Sequence, residues 1–120
     1  MGHVDDDGPG RPRFVLHHHL RPREHYDLRL EEDGVLRSWA VPRGLPDDPA
    51  ANRLAVAVAD HDLEHAGYTD EHKSIADSGW WEEVDRSDRR LVFVLHGRAG
   101  AVRYALIRTS RDWLLHRMTP

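Results

Sequence analysis

No stretch of this chain repeats apolar residues at the spacing of a helix face, and that constrains its fold more than any other feature. Apolar residues come instead in short runs bounded by turn formers. Arg13-Phe14-Val15-Leu16, the segment from His25 to about Glu31, and those over 35–41, 54–58, 91–95, 102–108 and 113–115 each fit a strand of ordinary length. Asp33-Gly34 predicts a tight hairpin turn. The Pro- and Asp-rich stretch from Pro42 to Pro49 reads as a loop. Six or seven short strands with turn signals between them predict an all-β domain, a small closed or partly open barrel with short connecting helical turns. At 120 residues there is room for one core, so residues 13–120 are expected to form a single domain. Residues 1–12, with three consecutive aspartates, Gly8, Pro9, Gly10 and Pro12, read as a flexible acidic tail. Residues 59–90 are the least regular: a helical turn or an irregular loop, anchored by Trp80-Trp81.

Composition excludes several functions. No apolar run approaches the ~18 residues of a membrane span. The acidic N-terminus lacks the apolar centre of a secretory signal. The absence of cysteine fits a reducing, cytoplasmic setting and removes thiolate ligands and thiol nucleophiles. A metal must therefore sit among nitrogen and oxygen donors, and ten histidines are available. A formal charge of −4 argues against a broad basic surface that coats nucleic acid, and permits a local anion pocket. Of the 17 basic residues only Lys73 is lysine; arginine suits bidentate phosphate recognition, and a GC-rich coding sequence also produces it.

The chemistry concentrates in His25-Tyr26-Asp27-Leu28-Arg29-Leu30. A strand sends alternate side chains to one face, so His25, Asp27 and Arg29 share a face and Tyr26, Leu28 and Leu30 share the other. Same-face neighbours stand about 6.7 Å apart, so His25 and Asp27 can lean onto one metal ion with Arg29 one step further. His19, six residues upstream, supplies a third ligand if the chain folds back. Two histidines and one carboxylate with open positions suit manganese, iron or zinc. A solvated polar stripe is the alternative at this point.

These residues resemble a known family. Arg13-Phe14-Val15, His19, His25-Tyr26-Asp27-Leu28-Arg29-Leu30-Glu31, Asp33-Gly34-Val35-Leu36, Ser38-Trp39-Ala40-Val41-Pro42, Arg53-Leu54-Ala55-Val56, Asp60-His61, Leu95-His96-Gly97, Tyr104–Thr109 and Trp113-Leu114-Leu115 are similar to the 3′-phosphoesterase domain of bacterial DNA ligase D, which also occurs free-standing. The resemblance implies a compact β-barrel that trims DNA 3′ ends in end joining, removing a terminal ribonucleotide and then the 3′-phosphate. It implies manganese, with Zn2+ or Co2+ as substitutes, held by His19, His25 and Asp27. Arg29 and His61 are then expected at the scissile phosphate, with Arg53, Arg43 and His65 beside it. The implied partners are primer–template 3′ ends and the ligase and polymerase of end joining, and the protein is expected to be monomeric.

This chain also departs from the pattern. His65 stands where the family usually has a tyrosine, Arg43 where it has a lysine, and Ala59 where it has an acidic residue. The family's glycine- and proline-rich loop has no counterpart within residues 67–90. If His65 faces the cleft, an imidazole in place of a phenol predicts steeper pH dependence between about 5.5 and 7.5. The rival reading is a weakened relic that binds 3′-phosphate ends or a repair partner without turnover. His17 and His18 read as polar link residues, His96 as structural, and Trp39, Tyr104 and Trp113 as core aromatics.

Overall fold

The structure, a computed structural model, describes residues 11–119. Eight strands follow one another: β1 (Arg13–His19), β2 (His25–Glu32), β3 (Val35–Val41), β4 (Arg53–Asp62), β5 (Lys73–Ser87), β6 (Arg90–Gly97), β7 (Gly100–Arg108) and β8 (Trp113–Arg117). One 3-10 turn, Leu63–Gly67, follows β4. The strands close into a barrel in the order β1-β2-β3-β4-β8-β7-β6-β5, with antiparallel pairing wherever register is defined. Asp33 and Gly34 both take positive φ, 53° and 83°, the turn geometry that joins β2 to β3 without splaying them. No helix among the described residues is long and apolar enough to cross a membrane. Of the expected tail, residues 1–10 lie outside the described residues; Pro12 lies against β5, its carbonyl accepting from Trp81 N at 3.0 Å.

The period-two pattern decides the two faces of the wall. Phe14, Leu16, Leu28, Leu30, Trp39 and Val41 point inward and join Trp81, Phe93, Tyr104, Leu106 and Leu115 in one core. Trp39 and Tyr104 are core aromatics as expected, and Trp113 meets Trp39 edge-on at 6.1 Å. The complementary residues of β1, β2 and β3 face outward, yet Val15 and Leu36 there are fully buried. The chain from the 3-10 turn to His72 covers them, tied by Arg13 Nη2 to Leu63 O and by Leu20 N to His72 O.

The expected loop within 59–90 is the main correction. Nearly half of it is β5, fifteen residues long and the strand that closes the barrel between β1 and β6. Trp81 is its core anchor, 4% exposed, with its indole N–H donating to Glu31 O at 3.0 Å. Trp80 lies parallel on His96 at 3.9 Å, so the pair does anchor the segment. Gly79 is required here: a Cβ would stand 1.9 Å from the His96 carbonyl oxygen.

Candidate active site

His19 and His25 stand directly opposite each other across the β1–β2 pair, at the ends of their strands. Their ring centroids are 5.0 Å apart. Asp27 occupies the next outward position on β2, and its Oδ2 lies 3.3 Å from His25 Nε2 and 3.8 Å from His19 Nδ1. One donor atom from each residue falls within 4.8 Å of the other two. Donors around one divalent ion at about 2.1 Å stand roughly 3 Å apart, so small side-chain rotations close this set on a metal. The donor chemistry fits as well. His25 Nδ1–H donates to Arg23 O at 2.7 Å, which fixes the tautomer and leaves the Nε2 lone pair facing Asp27. Burial first, and then the Lys73 charge, hold the His19 pKa below its ordinary value, which keeps the imidazole in its ligating form.

Arg29 follows on the same face, but it is only 2% exposed. Its Nη2 donates to Asp27 Oδ2 at 3.3 Å, its Nη1 to Ser38 Oγ at 2.9 Å and its Nε to His17 Nδ1 at 3.1 Å. In this arrangement Arg29 positions the Asp27 carboxylate, and its guanidinium has no open path to a ligand. His17 is therefore no link residue. It is fully buried, and because its Nδ1 accepts from Arg29, its Nε2–H donates to Tyr68 O at 2.9 Å. Burial, reinforced by the Arg29 charge, lowers its pKa to about 4. His18, by contrast, stays at the surface type of contact expected of it, stacked on Tyr26 and bonded to Glu24.

Two β-bulges deliver the remaining residues. Ser38 pairs with Val58 and Leu36 with His61, so β4 holds one residue more than β3 over this step. The extra residue moves His61 to the outward face that it would otherwise miss. On β5, Asp77 pairs with inward Leu16 while Ile75 pairs with outward His17, and Lys73 then falls opposite His19. His61 stacks on His65 at 4.2 Å, and His65 on Tyr68 at 5.0 Å. Lys73 Nζ donates to His65 Nε2 at 3.1 Å and is 8% exposed. Burial and the Lys73 charge lower the His65 pKa to about 4, which corrects the expectation of an imidazole titrating near neutrality. His61 is also depressed, by burial first and then by the Arg29 and Lys73 charges.

The family model for the DNA ligase D 3′-phosphoesterase domain matches residues 17–108. The chain belongs to that family. It is 42% identical over 125 residues to the multifunctional non-homologous end joining DNA repair protein LigD of Mycobacterium tuberculosis, covering 92% of this chain and 16% of that protein. The LigD proteins of Mycolicibacterium smegmatis and Pseudomonas aeruginosa are 42% and 38% identical, over 88% and 87% of this chain. The chain thus spans only 14–17% of the length of these LigD proteins.

Against the family pattern, the outward face gathers His19, His25, Asp27, Arg29, His61 and His65, and adds His17 and Lys73, which sequence reasoning passed over. Arg43 and Arg53 lie elsewhere. Arg43 is exposed in the turn after β3, past the register position of Tyr26 opposite Val41. Arg53 opens β4 opposite core Leu115, on the inward side with Ala55, and its Nε is buried without a hydrogen-bond partner among the described residues. The groove of about 420 Å³ beside His61 and His65 also carries Asp62 and Glu64, so it is a poor phosphate seat.

Proposed function

We propose that this chain is a metal-dependent phosphoesterase acting on DNA 3′ ends, removing a terminal ribonucleotide and a 3′-phosphate to leave a 3′-hydroxyl. The observation that carries this reading is the convergence of His19, His25 and Asp27, with the His25 lone pair aimed at the carboxylate and Arg29 bonded behind it. These three residues would hold manganese, with Zn2+ or Co2+ as alternatives. Once bound, the ion supplies a Lewis acid for a phosphoryl oxygen and a water of lowered pKa. Arg29 holds the Asp27 carboxylate in orientation. Lys73, opposite His19, brings positive charge to the face where equatorial phosphate oxygens gain charge. His61, held neutral, offers a ring N–H to the phosphate. Because this face is the outside of the barrel wall, a DNA end reaches it without threading the barrel. We place this activity in the cytoplasm beside the ligase and polymerase of end joining; the relatives' description as non-homologous end joining proteins supports the role in end joining.

The rival reading, a domain that binds 3′-phosphate ends without turnover, is favoured by the closure of Arg29 and the distant placement of Arg43 and Arg53. A primer–template ending in one 3′-ribonucleotide separates the two. Incubated with protein and manganese and resolved on a sequencing gel, it is expected to lose the ribonucleotide and then the 3′-phosphate, and to persist with EDTA. Binding without conversion would overturn the catalytic reading.

A further inference from the structure

The barrel mouth furthest from the metal cluster carries charge where its inner face should be apolar. Arg37 alternates with core Trp39, Arg86 pairs with core Leu91, and Arg108 pairs with Trp113, so all three occupy inward positions. With Arg90 on the rim they line a cavity of about 360 Å³ walled by Trp39 and Trp113. Four guanidiniums face it against one carboxylate, Asp88. Along β2, the seven steps from His25 to Glu32 put this mouth about 23 Å from the metal ligands, so it is a separate site.

An arginine at a barrel end can be spent on a neighbouring acid. Two of these do so: Arg37 and Arg86 both donate to Glu32, at 3.4 Å and 2.6 Å, and Arg86 also to Glu83 at 2.9 Å. The guanidiniums of Arg90 and Arg108 have no hydrogen bond or ion pair among the described residues, although Arg108 lies 5.8 Å over the Trp113 ring. Arg37 is fixed over Trp39 at 4.9 Å and Trp113 at 5.9 Å. A second, independent observation sits in the cavity wall: Trp39 is 1% exposed, and its Nε1–H is buried without an acceptor. Buried donors of this kind are rarely left unmet. Four guanidiniums against the one Asp88 carboxylate favour an anionic ligand. The volume exceeds that of a bare oxyanion, leaving room for the group that carries it.

We propose that this arginine cup binds a phosphate group carried by a nucleotide or by a nucleic-acid strand. The proposal does not depend on turnover at the metal face, because Arg90 and Arg108 belong to the cup and not to that face. The test follows the Trp39 indole Nε1–H resonance of the whole chain by NMR during titration with inorganic phosphate and with 5′-AMP, against sodium chloride at equal ionic strength. A saturable downfield shift is expected, with affinity at least about tenfold weaker in the doubly substituted Arg90→Gln, Arg108→Gln protein. Single-stranded DNA is then added. Displacement of 5′-AMP assigns the phosphate to a strand, and failure to displace it assigns a free nucleotide; both support the cup. No saturable shift in the parent, an equal shift with chloride, or unchanged affinity in the double variant would overturn it.

Discussion

Acidification should destabilise this fold through His17 in a way that a single substitution isolates. In the unfolded chain His17 titrates near 6.5; in the barrel burial and Arg29 hold it at about 4. Above pH 6.5 neither state binds the proton and His17 contributes no pH dependence. Below it the unfolded chain takes up a proton that the folded one refuses, so stability falls as pH drops from 6.5 toward 4 and levels off beneath. One pKa unit corresponds to about 1.4 kcal/mol, so the loss reaches about 2 kcal/mol at pH 5 and about 3 kcal/mol at pH 4. His65, also near 4, acts in the same direction with part of its effect screened by solvent. Urea unfolding followed by tryptophan fluorescence, in EDTA to remove linked metal binding, measures the sum at pH 7.5 and pH 5. His17→Gln keeps a donor and an acceptor but not the titration, so it should lose about 2 kcal/mol less than the parent between those pH values. Equal losses in parent and variant would show that His17 is not a buried neutral histidine, and the bonded chain from Tyr68 O through His17 to Arg29 would have to be abandoned.

Other perturbations test the metal face. Manganese titration followed by EPR should show one tight ion that Asp27→Asn removes, with affinity falling on acidification as protons compete with the metal; an ion held equally well by the variant would misplace the centre. Arg29→Lys keeps charge but cannot serve Asp27, Ser38 and His17 together, so it should weaken manganese binding by roughly tenfold or more, and unchanged binding would show that Arg29 does not position Asp27. Lys73→Met removes the cation beside His65, so the His65 imidazole should titrate closer to its ordinary 6.5 by NMR. His65→Tyr should leave the pH–rate profile unchanged above about pH 5, because His65 is already neutral there; a flattened acid limb would show that it titrates in the working enzyme.

What was legible in the sequence is what period-two alternation records. His25, Asp27 and Arg29 on one face, Leu28 and Leu30 on the other, and the Asp33-Gly34 turn all follow from local rules, and the structure keeps them. His17 obeyed the same rule and was still misread. It shares parity with His19 and stands opposite Asp27, but its burial depends on the segment crossing outside it, which no local pattern announces. Lys73 had a signal of a different kind, as the one lysine in a chain otherwise supplied with arginine. An ammonium can offer a single N–H to the His65 lone pair in a confined space, a task ill suited to a planar fork.

β5 was lost because its alternation is broken twice. Pairing shifts between Asp77 and Ile75 and again between Glu83 and Asp85, so no face of the strand reads as continuously apolar. Beyond Trp81 its residues are exposed, although Phe93 and Leu91, opposite Glu83 and Arg86 on β6, belong to the core. The first of these bulges is also what turns Lys73 outward, and the bulge in β4 does the same for His61. A barrel wall with strict alternation would have sent both side chains into the apolar interior, at the cost of burying a lysine among Phe14 and Leu16. The irregularity that hides the strand from a reader of the sequence is therefore the feature that completes the metal face. Deleting Ala76 removes the extra residue and leaves Ile75 opposite His17 and Lys73 opposite His19, so Lys73 should stay outward and keep its contact with His65. A deletion protein that folds and loses the Lys73–His65 contact would show that this register is not what places them.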